Sequence, residues 1–218
     1  MIAGNTVLFC GFGDVGMGFA IAMKEVKARC LATETEPVRA LMAGIEEYQV
    51  ATMETVLPEV DIFITATGIC RVIRVEHMLK IKNNDIVGNM GHFNRKIDLE
   101  SFRKYPRTKP IEVKPNIHRW VFQDEHSITI LAEGRLLNVI CGAANPRLVI
   151  SIAFMLQVLT QVHLWKNRNF AQTLPTVCVP PRTIDTLAAL YHLPCIDPDL
   201  TVSTNNPILS NTVLRQSS

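Results

Sequence analysis

The amino-acid sequence is that of a folded chain with little net charge. It has 218 residues, 48% of them hydrophobic, a formal net charge of +2 and a mean hydropathy of +0.17. A chain of this size and composition buries a substantial core, which excludes an intrinsically disordered protein. The sequence contains no long block of one charge sign, so we expect neither nucleic acid nor a membrane surface as a partner.

The six cysteines are scattered along the chain, without a C-x-x-C motif or a nearby pair of histidines. This pattern predicts free thiols in a reducing compartment and no metal site. The sequence opens on an apolar run typical of a core strand, so we expect no signal peptide. Together these features predict a cytoplasmic protein.

The most informative stretch is Thr6 to Gly18, in which an apolar run is followed by closely spaced glycines. The run predicts a short buried strand, and Gly11, Gly13 and Gly16 follow the G-x-G-x-x-G spacing. The first glycine of such a motif permits a tight turn, and the second lets the backbone approach a pyrophosphate. The third allows the next helix to pack closely on the strand, with its N-terminus facing the phosphates.

Helix formers follow from Phe19 to Val26, and a second apolar run, Arg29 to Thr33, ends at Glu34. A carboxylate at the end of the second strand accepts hydrogen bonds from both hydroxyls of an adenosine ribose and repels a 2′-phosphate, so Glu34 favours NAD over NADP. The alternative is that the glycines form an ordinary turn and that Glu34 caps the next helix. The register of strand, glycines, helix, strand and acid makes this alternative the weaker one.

Strands and helices continue to alternate after Glu34. The pattern predicts a helix over Glu36 to Glu46 whose apolar side packs on the sheet. Further strands and one short helix are predicted at Tyr48 to Ala51, Val60 to Thr65, Val75 to Lys80 and Ile86 to Asn89. Such alternation implies right-handed crossovers, so we expect an α/β fold with a Rossmann-like, doubly wound, mostly parallel sheet and a C-terminal helical segment.

The glycine turn, the acid and two further segments all follow predicted strands. In parallel sheets, ligands bind at the carboxyl ends of the strands. One ligand lying across that edge would touch Gly11 to Gly16, Glu34, Thr65 to Gly68 and Asn89 to His92. This convergence argues for a binding site more strongly than any single motif.

The second half of the sequence predicts fewer elements. We interpret Phe102 to Pro115, a basic segment with three prolines, as a solvated connection, and we predict strands at His118 to Phe122 and Ser127 to Ala132. Leu148 to Trp165 is nearly apolar enough for a membrane span, but its interspersed polar residues favour a buried helix. A last helix is predicted at Thr183 to Tyr191.

Six segments carry a family resemblance: Met1–Gly4, Gly11–Gly18, Thr33–Pro37, Thr65–Gly68, Gly88–Phe93 and Leu131–Asn138. In order and spacing they are similar to the NAD-binding half of the S-adenosyl-L-homocysteine hydrolase family, and Val75–His77 and Leu190–Pro194 resemble its hydrolase-like paralogues. The resemblance implies an NAD-binding Rossmann domain over residues 1–144. A helical return segment of the family's substrate domain over 145–195 and a polar tail over 196–218 would follow.

The resemblance implies NAD as the cofactor and assigns residues to its site. The glycine loop would cradle the pyrophosphate, Glu34 would hold the adenosine ribose, two threonines would flank the cofactor and the last four residues would surround the nicotinamide. In chain order the site residues are Gly11, Gly13, Asp14, Val15, Gly16, Glu34, Thr65, Thr67, Met90, Gly91, His92 and Asn138. The alternatives are that His92 is a satisfied loop histidine and that Asn138 caps a local turn.

The sequence also departs from the family. There, NAD oxidises the ribose 3′-hydroxyl of the substrate so that homocysteine can be eliminated, and an N-terminal substrate domain supplies the acid, base and lysine; this sequence has no counterpart of that domain. Met17 stands in place of a family lysine and Asn145 in place of a hinge histidine, and the family's C-terminal lysine and tyrosine have no match. We therefore expect a relative of an NAD-dependent thioether hydrolase without catalytic residues or independent activity.

Three functions are compatible with these observations. The first is an NAD-binding, hydrolase-like chain of the methylation (one-carbon) cycle that is inactive alone. The second is a non-catalytic partner that binds copies of itself or full-length relatives through Leu148 to Trp165, because a helix that is apolar nearly all round must be covered. The third is a small dehydrogenase of another class, the weakest because no Arg, Glu and His set for hydride transfer to a hydroxy acid is visible.

Overall fold

One mixed sheet is the frame of the first half of the chain. The computed structural model describes residues 2–106, 108–142, 146–168 and 179–196. Its strands, β1 to β8 in chain order, are Thr6–Cys10, Arg29–Thr33, Gln49–Val50, Ile62–Thr65, Asp85–Asn89, Thr108–Lys114, Ile117–Phe122 and Ser127–Ile130. Their order across the sheet is β3-β2-β1-β4-β5-β8-β7-β6.

The strand order reverses at β1, as in a doubly wound fold. β1 pairs with β2 on one side and with β4 on the other, and every pair from β3 across to β8 is parallel. β7 and β6 extend the sheet in antiparallel orientation. The predicted α/β, Rossmann-like, mostly parallel sheet is therefore confirmed, and the carboxyl ends of β1, β2, β4 and β5 share one edge.

The helices divide between two compact units, Met1–Ala144 and Asn145–Ser218. In the described residues the α-helices α1 to α8 are Asp14–Glu25, Pro37–Ile45, Met53–Val56, Val75–Met78, Leu99–Arg103, Leu137–Ile140, Arg147–Lys166 and Arg182–His192. Short 3-10 helices lie at Leu131–Gly134 and Leu193–Cys195. The first six α-helices belong to the sheet unit and the last two to the second unit.

The central strand β1 is buried on both faces. Val7 and Phe9 belong to one hydrophobic cluster, and Leu8 and Cys10 belong to the other, because successive strand residues point to opposite faces of a sheet. All four residues are fully buried. This burial fixes the end of β1, and with it the position of the glycine turn that follows.

The apolar side of α2 does not pack on the sheet, contrary to the prediction. The helix lies where the sequence placed it, but Val38, Leu41, Met42 and Ile45 are 42 to 70% exposed. Ala43 is its buried residue. The prediction was wrong because helical periodicity identifies an apolar stripe without showing which element covers it.

The basic segment Phe102 to Pro115 is more regular than predicted. Phe102, in α5, is fully buried, and its ring centroid lies 5.0 Å from that of Trp120. Thr108–Lys114 forms β6 at the edge of the sheet, where Pro110 is tolerated because one side of an edge strand makes no ladder hydrogen bonds. The interpretation of this segment as a connection was therefore wrong, but its solvation is confirmed, because six of the seven residues of β6 are exposed.

In the second unit, α7 contacts α8, and Ser151 Oγ lies 2.9 Å from His192 Nε2. No residue of α7 is buried, so the predicted burial of this helix is not observed. Phe154 and Trp165 are 61 and 70% exposed. By length and composition alone, α7 is the one helix in the described residues that could cross a membrane, which is weak support for a span.

Some predictions fall outside the described residues. They concern the hinge position Asn145, the thiol of Cys178 and the polar tail beyond Ile196. Of the other cysteines, Cys10, Cys30, Cys70, Cys141 and Cys195 are free thiols.

Candidate functional site

The glycine turn after β1 is shaped by the protein's own packing at two of its three glycines. Gly11 has a φ of +102°, and a Cβ there would lie 2.5 Å from Thr67 Cγ2. A Cβ on Gly16 would lie 2.0 Å from the carbonyl oxygen of Gly11, whereas one on Gly13 would meet nothing within 4 Å. The fold therefore requires glycine at positions 11 and 16, and the space beside Gly13 is open to a ligand.

Helix α1 begins at Asp14, inside the glycine motif and earlier than the predicted Phe19. Among the described residues no side chain caps this helix at Gly13, so the N–H groups of its first turn are available to an anion. The side chains of Asp14 and Val15 are exposed, and Asp14 Oδ1 pairs with Arg39 Nη1 at 3.2 Å. A contribution of these two predicted site residues to a ligand would therefore come from their backbone, and their place in the site stays a prediction.

Glu34 follows β2 and folds back towards the glycine turn. Its Oε2 accepts a hydrogen bond from the Phe12 N–H at 2.7 Å, and its Oε1 accepts from the N–H groups of Thr35 and Glu36. Partial burial of the Glu34 carboxylate raises its pKa, but these backbone donors outweigh that effect and hold the pKa below its ordinary value. Glu34 is therefore an ionised acceptor fixed beside the turn.

Glu34 does not cap the next helix, α2, which was the alternative to a binding role; Glu36 caps it instead. The Glu36 side chain accepts the N–H groups of Val38 and Arg39 at the start of α2. Glu34 Oε2, with a single protein donor among the described residues, keeps acceptor capacity for a ribose hydroxyl.

Thr65 and Asn89 form a buried junction between β4 and β5, and both are fully buried. The Thr65 hydroxyl donates to Asn89 Oδ1 at 2.9 Å, and the Gly91 N–H donates to the same oxygen at 2.8 Å. Asn89 Nδ2 donates to the carbonyl oxygens of Phe93 and Gly134. Asn89 therefore ties three loops together. The sequence predicted it at the ligand-binding edge, in the segment Asn89 to His92, but not among the residues that bind the cofactor.

One cavity brings several predicted residues together. It has a volume of about 190 Å³ and is lined by Gly11, Glu34 and Thr67, together with the loop that follows Thr67. The Thr67 hydroxyl accepts the Ile69 N–H at 3.0 Å, which shapes that loop. The cavity lies at the carboxyl ends of β1, β2 and β4, where a doubly wound sheet binds its ligand.

The residues predicted to surround the nicotinamide lie further along the same edge. The N–H groups of Met90 and Gly91 donate to the Thr65 carbonyl oxygen at 2.8 and 3.2 Å. His92 is exposed, and its ring contacts that of Phe93. Asn138 Oδ1 is buried and has no hydrogen-bond partner within the described residues, so that atom does not cap a turn and is free to accept from a ligand.

Lys96 is a further polar residue near this edge that the sequence analysis did not single out. Its side chain is only 1% exposed, and a Cβ placed on Gly91 would lie within 3 Å of its Nζ, Cε and Cδ. Burial lowers the pKa of Lys96, and the nearby Cys70 opposes that shift. Its proximity to the matched segment Gly88–Phe93 was the available signal.

Metal ligation finds no support in the described ranges. Among residues 2–106, 108–142, 146–168 and 179–196, no three His, Cys, Asp or Glu side chains are grouped to hold an ion. The prediction of no metal site stays a prediction. Burial raises the pKa of Cys10 to about 12, which makes that thiol a packing residue.

The geometry fits a dinucleotide. Open space beside Gly13 suits a pyrophosphate, the ionised Glu34 suits ribose hydroxyls, and the unpaired Asn138 Oδ1 suits an N–H donor such as a carboxamide. The three features follow one another along the edge of a single sheet.

Comparison with known proteins points to one family. Residues 1–144 match the family described as S-adenosyl-L-homocysteine hydrolase, NAD binding domain. Adenosylhomocysteinase of Solanum lycopersicum is 46% identical over 194 residues, 88% of this chain and 40% of that protein. Adenosylhomocysteinase of Triticum aestivum is 42% identical over 207 residues, 94% of this chain and 43% of that protein. The chain thus spans about two fifths of the length of these relatives.

Some solved structures resemble this chain only distantly. The D-lactate dehydrogenase of Salmonella matches 47% of this chain and 32% of its own, with a TM-score of 0.41 and 19% identity. That similarity is too low to inform function. The family match and the two relatives show that residues 1–144 are an NAD-binding domain and that NAD is the cofactor this domain implies. The chain therefore belongs to the S-adenosyl-L-homocysteine hydrolase family.

Proposed function

We propose that this chain supplies the NAD-binding half of an S-adenosylhomocysteine-hydrolase-like protein of the methylation cycle. The observation that carries the proposal is the convergence of Gly11, Glu34 and Thr67 on one cavity at the carboxyl edge of the sheet. The relatives with which it shares most of its length are adenosylhomocysteinases. A role in thioether hydrolysis is the function most consistent with both observations.

The chain's own residues would divide the task of holding NAD. The glycine turn and the first turn of α1 would bind the pyrophosphate. Glu34 would accept hydrogen bonds from the adenosine ribose, and Thr65 and Asn89 would hold the Met90–Gly91 backbone in place beside the nicotinamide. Asn138 Oδ1 would accept from an N–H donor at that end. NAD, when bound, supplies the hydride acceptor of the family's chemistry.

We infer further that these 218 residues by themselves bind NAD without hydrolysing S-adenosylhomocysteine. None of the twelve proposed site residues is assigned a proton-transfer role, and the chain spans about two fifths of its relatives. Turnover of S-adenosylhomocysteine by the purified chain, measured as released homocysteine, would contradict this inference. We place the protein in the cytoplasm because of its scattered cysteines.

Isothermal titration with NAD and NADP tests the cofactor site. We expect NAD to bind the wild type more tightly than NADP does, because the Glu34 carboxylate repels a 2′-phosphate. Glu34→Ala removes hydrogen bonds to a charged acceptor, a loss of about 1.5 to 3 kcal/mol, and so weakens NAD binding about 10- to 150-fold. Glu25→Ala, an exposed position at the end of α1, is the matched control and should leave both affinities unchanged.

Two outcomes would contradict the proposal. If the wild-type protein gives neither heat nor a thermal shift with NAD, the glycine turn has only a structural role and does not bind the cofactor. Equal affinity of the wild type for NAD and NADP would leave the fold assignment intact and remove the role of Glu34.

We propose self-association as a second function of the chain, through the exposed apolar residues of α7. None of the helix is buried in the described residues, and Phe154, Val158 and Trp165 are each more than half exposed. A soluble protein rarely leaves such a patch uncovered. The partner we propose is the same helix of a second copy, because two such apolar surfaces remove each other from water.

Light scattering coupled to size-exclusion chromatography tests this second function. We expect a dimer or larger species for the wild type, and a shift towards monomer for Phe154→Ser with Val158→Ser. Lys166→Ala, at the end of the same helix, is the control and should leave the mass unchanged. If the wild type is a monomer by itself but co-elutes with an added full-length adenosylhomocysteinase, self-association is refuted and the hetero-oligomer is favoured.

A further inference from the structure

A second cavity adjoins the cavity at the glycine turn. It has a volume of about 600 Å³. Glu34 and Arg71 line both cavities, whereas Gly11 and Thr67 line only the first. The opposite wall of the second cavity includes residues 50–54, at the end of β3, the strand beyond β2 in the sheet. The second cavity therefore begins at Glu34 and extends away from the glycine turn.

A dinucleotide bound as proposed would direct its adenine into this second cavity. Its pyrophosphate lies at the glycine turn and its adenosine ribose at Glu34. The base and the phosphate are attached to opposite ends of that ribose, so the base continues past Glu34 on the side away from the turn. Val50, Ala51 and Val72 line the cavity there and offer apolar surface to a flat ring.

Glu54 is a second acid that lines this cavity, and two neighbours hold its carboxylate. Glu54 Oε1 lies 3.3 Å from His77 Nε2 and 3.8 Å from Arg74 Nη2. The Arg74 N–H donates to His77 Nδ1 at 3.2 Å, so the ring proton is on Nε2, which donates to Glu54. His77 is buried, and its ring therefore provides a fixed donor that orients the carboxylate.

The Glu54 carboxylate has acceptor capacity left for a ligand. Its own backbone N–H, His77 and Arg74 together outweigh burial and hold the pKa of Glu54 below its ordinary value, so the group is ionised. Both ion-pair contacts are made by Oε1, which leaves lone pairs on Oε2. The Glu54 side chain is 63% exposed, so a ligand in the cavity can reach it. An ionised carboxylate accepts from an amino group and repels a carbonyl oxygen.

We propose that Glu54 makes the site selective for adenine as the base of the dinucleotide, by accepting a hydrogen bond from the exocyclic amino group of adenine. Hypoxanthine has a carbonyl oxygen in place of that amino group and cannot donate there. A site that pairs with an N–H group of its ligand rejects the analogue that lacks it. The inference rests on the proposed function, since it requires that the dinucleotide bind with its adenosine ribose at Glu34.

Isothermal titration of the full chain with NAD and with nicotinamide hypoxanthine dinucleotide tests the proposal. We expect the wild type to bind NAD about tenfold more tightly, because one hydrogen bond to a charged group is lost with the analogue. Glu54→Gln keeps the shape of the side chain, but its amide both donates and accepts, so the two affinities should come within about threefold. Glu76→Gln is the matched control and should keep the wild-type ratio. Glu76 lies 3.8 Å from the same Arg74 Nη2 but is not among the described residues that line the cavity.

The possible failures are distinguishable. Equal affinity of the wild type for the two dinucleotides overturns the role of Glu54 without any variant, even if Glu54→Gln does not fold. A preference that persists in folded Glu54→Gln, or that Glu76→Gln abolishes equally, also overturns it. In each of these cases the proposed NAD site stands. Absence of NAD binding by the wild type refutes the proposed function, and this inference with it.

Discussion

Asp85 is expected to make the sheet unit less stable as the pH rises, and Asp85→Asn should remove that effect. Its side chain, at the start of β5, is 4% exposed, and its Oδ2 has no hydrogen-bond partner among the described residues. The neighbouring Lys82 Nζ lies 2.6 Å from Asp61 Oδ1 instead. Burial, opposed by Lys82 and assisted by Asp61, raises the pKa of Asp85 to about 7.

The sign and size of the effect follow from proton linkage. Between the ordinary aspartate pKa of 3.8 and the folded value of about 7, the folded chain holds a proton that the unfolded chain has lost. The free energy of unfolding therefore falls with rising pH in that window and levels off above it. For one group the loss is about 2.5 kcal/mol between pH 5 and pH 8, and about 4 kcal/mol in the limit of high pH.

Urea unfolding at pH 5 and pH 8 measures this term, with the buried Trp120 as the fluorescence probe in a Trp165→Phe background. The stability of Asp85→Asn relative to the wild type should increase by about 2.5 kcal/mol from pH 5 to pH 8. Asp124→Asn, in the exposed turn after β7, is the control and should show no such change. A difference between Asp85→Asn and the wild type that is the same at both pH values would refute the reasoning.

Three further substitutions test the site. Gly13→Ala should leave stability within about 0.5 kcal/mol of the wild type, because its Cβ meets nothing within 4 Å, yet weaken NAD binding at least tenfold by titration, since it fills the phosphate space. Gly16→Ala forces a Cβ against the Gly11 carbonyl oxygen and should cost about 1 to 3 kcal/mol of stability in urea unfolding; unchanged stability would contradict the close packing. Asn89→Ala removes the buried acceptor of the Thr65 hydroxyl and should lower the free energy of unfolding by about 2 to 4 kcal/mol. A stable variant that binds NAD normally would show that this junction is dispensable.

The local part of the site could be predicted from the sequence. The run into Gly11, the glycine spacing and the second strand ending at Glu34 are each determined by residues close together in the chain, and β2 lies at Arg29–Thr33 as predicted. The resemblance in Thr65–Gly68, Gly88–Phe93 and Leu131–Asn138 supplied the remaining residues. Which of these form one NAD site in solution stays a prediction.

Contacts between distant segments could not be predicted in the same way. The exposure of Leu41 in α2 and of Phe154 in α7 depends on whether another element covers that face, which periodicity does not encode. Glu133 adopts a left-handed conformation with a φ of 52°, which no local sequence signal indicated. Pro110 lies within a strand only because that strand is at the edge of the sheet.

The sequence by itself thus determined the class of fold, the glycine turn and the acid that follows β2, because strand period, glycine spacing and helix propensity act over a few residues. The tertiary structure alone decided that Asn89 joins three loops and that Lys96 lies buried against Gly91. The burial of a side chain and its hydrogen-bond partners depend on which distant segments pack together. No local sequence pattern determines those contacts.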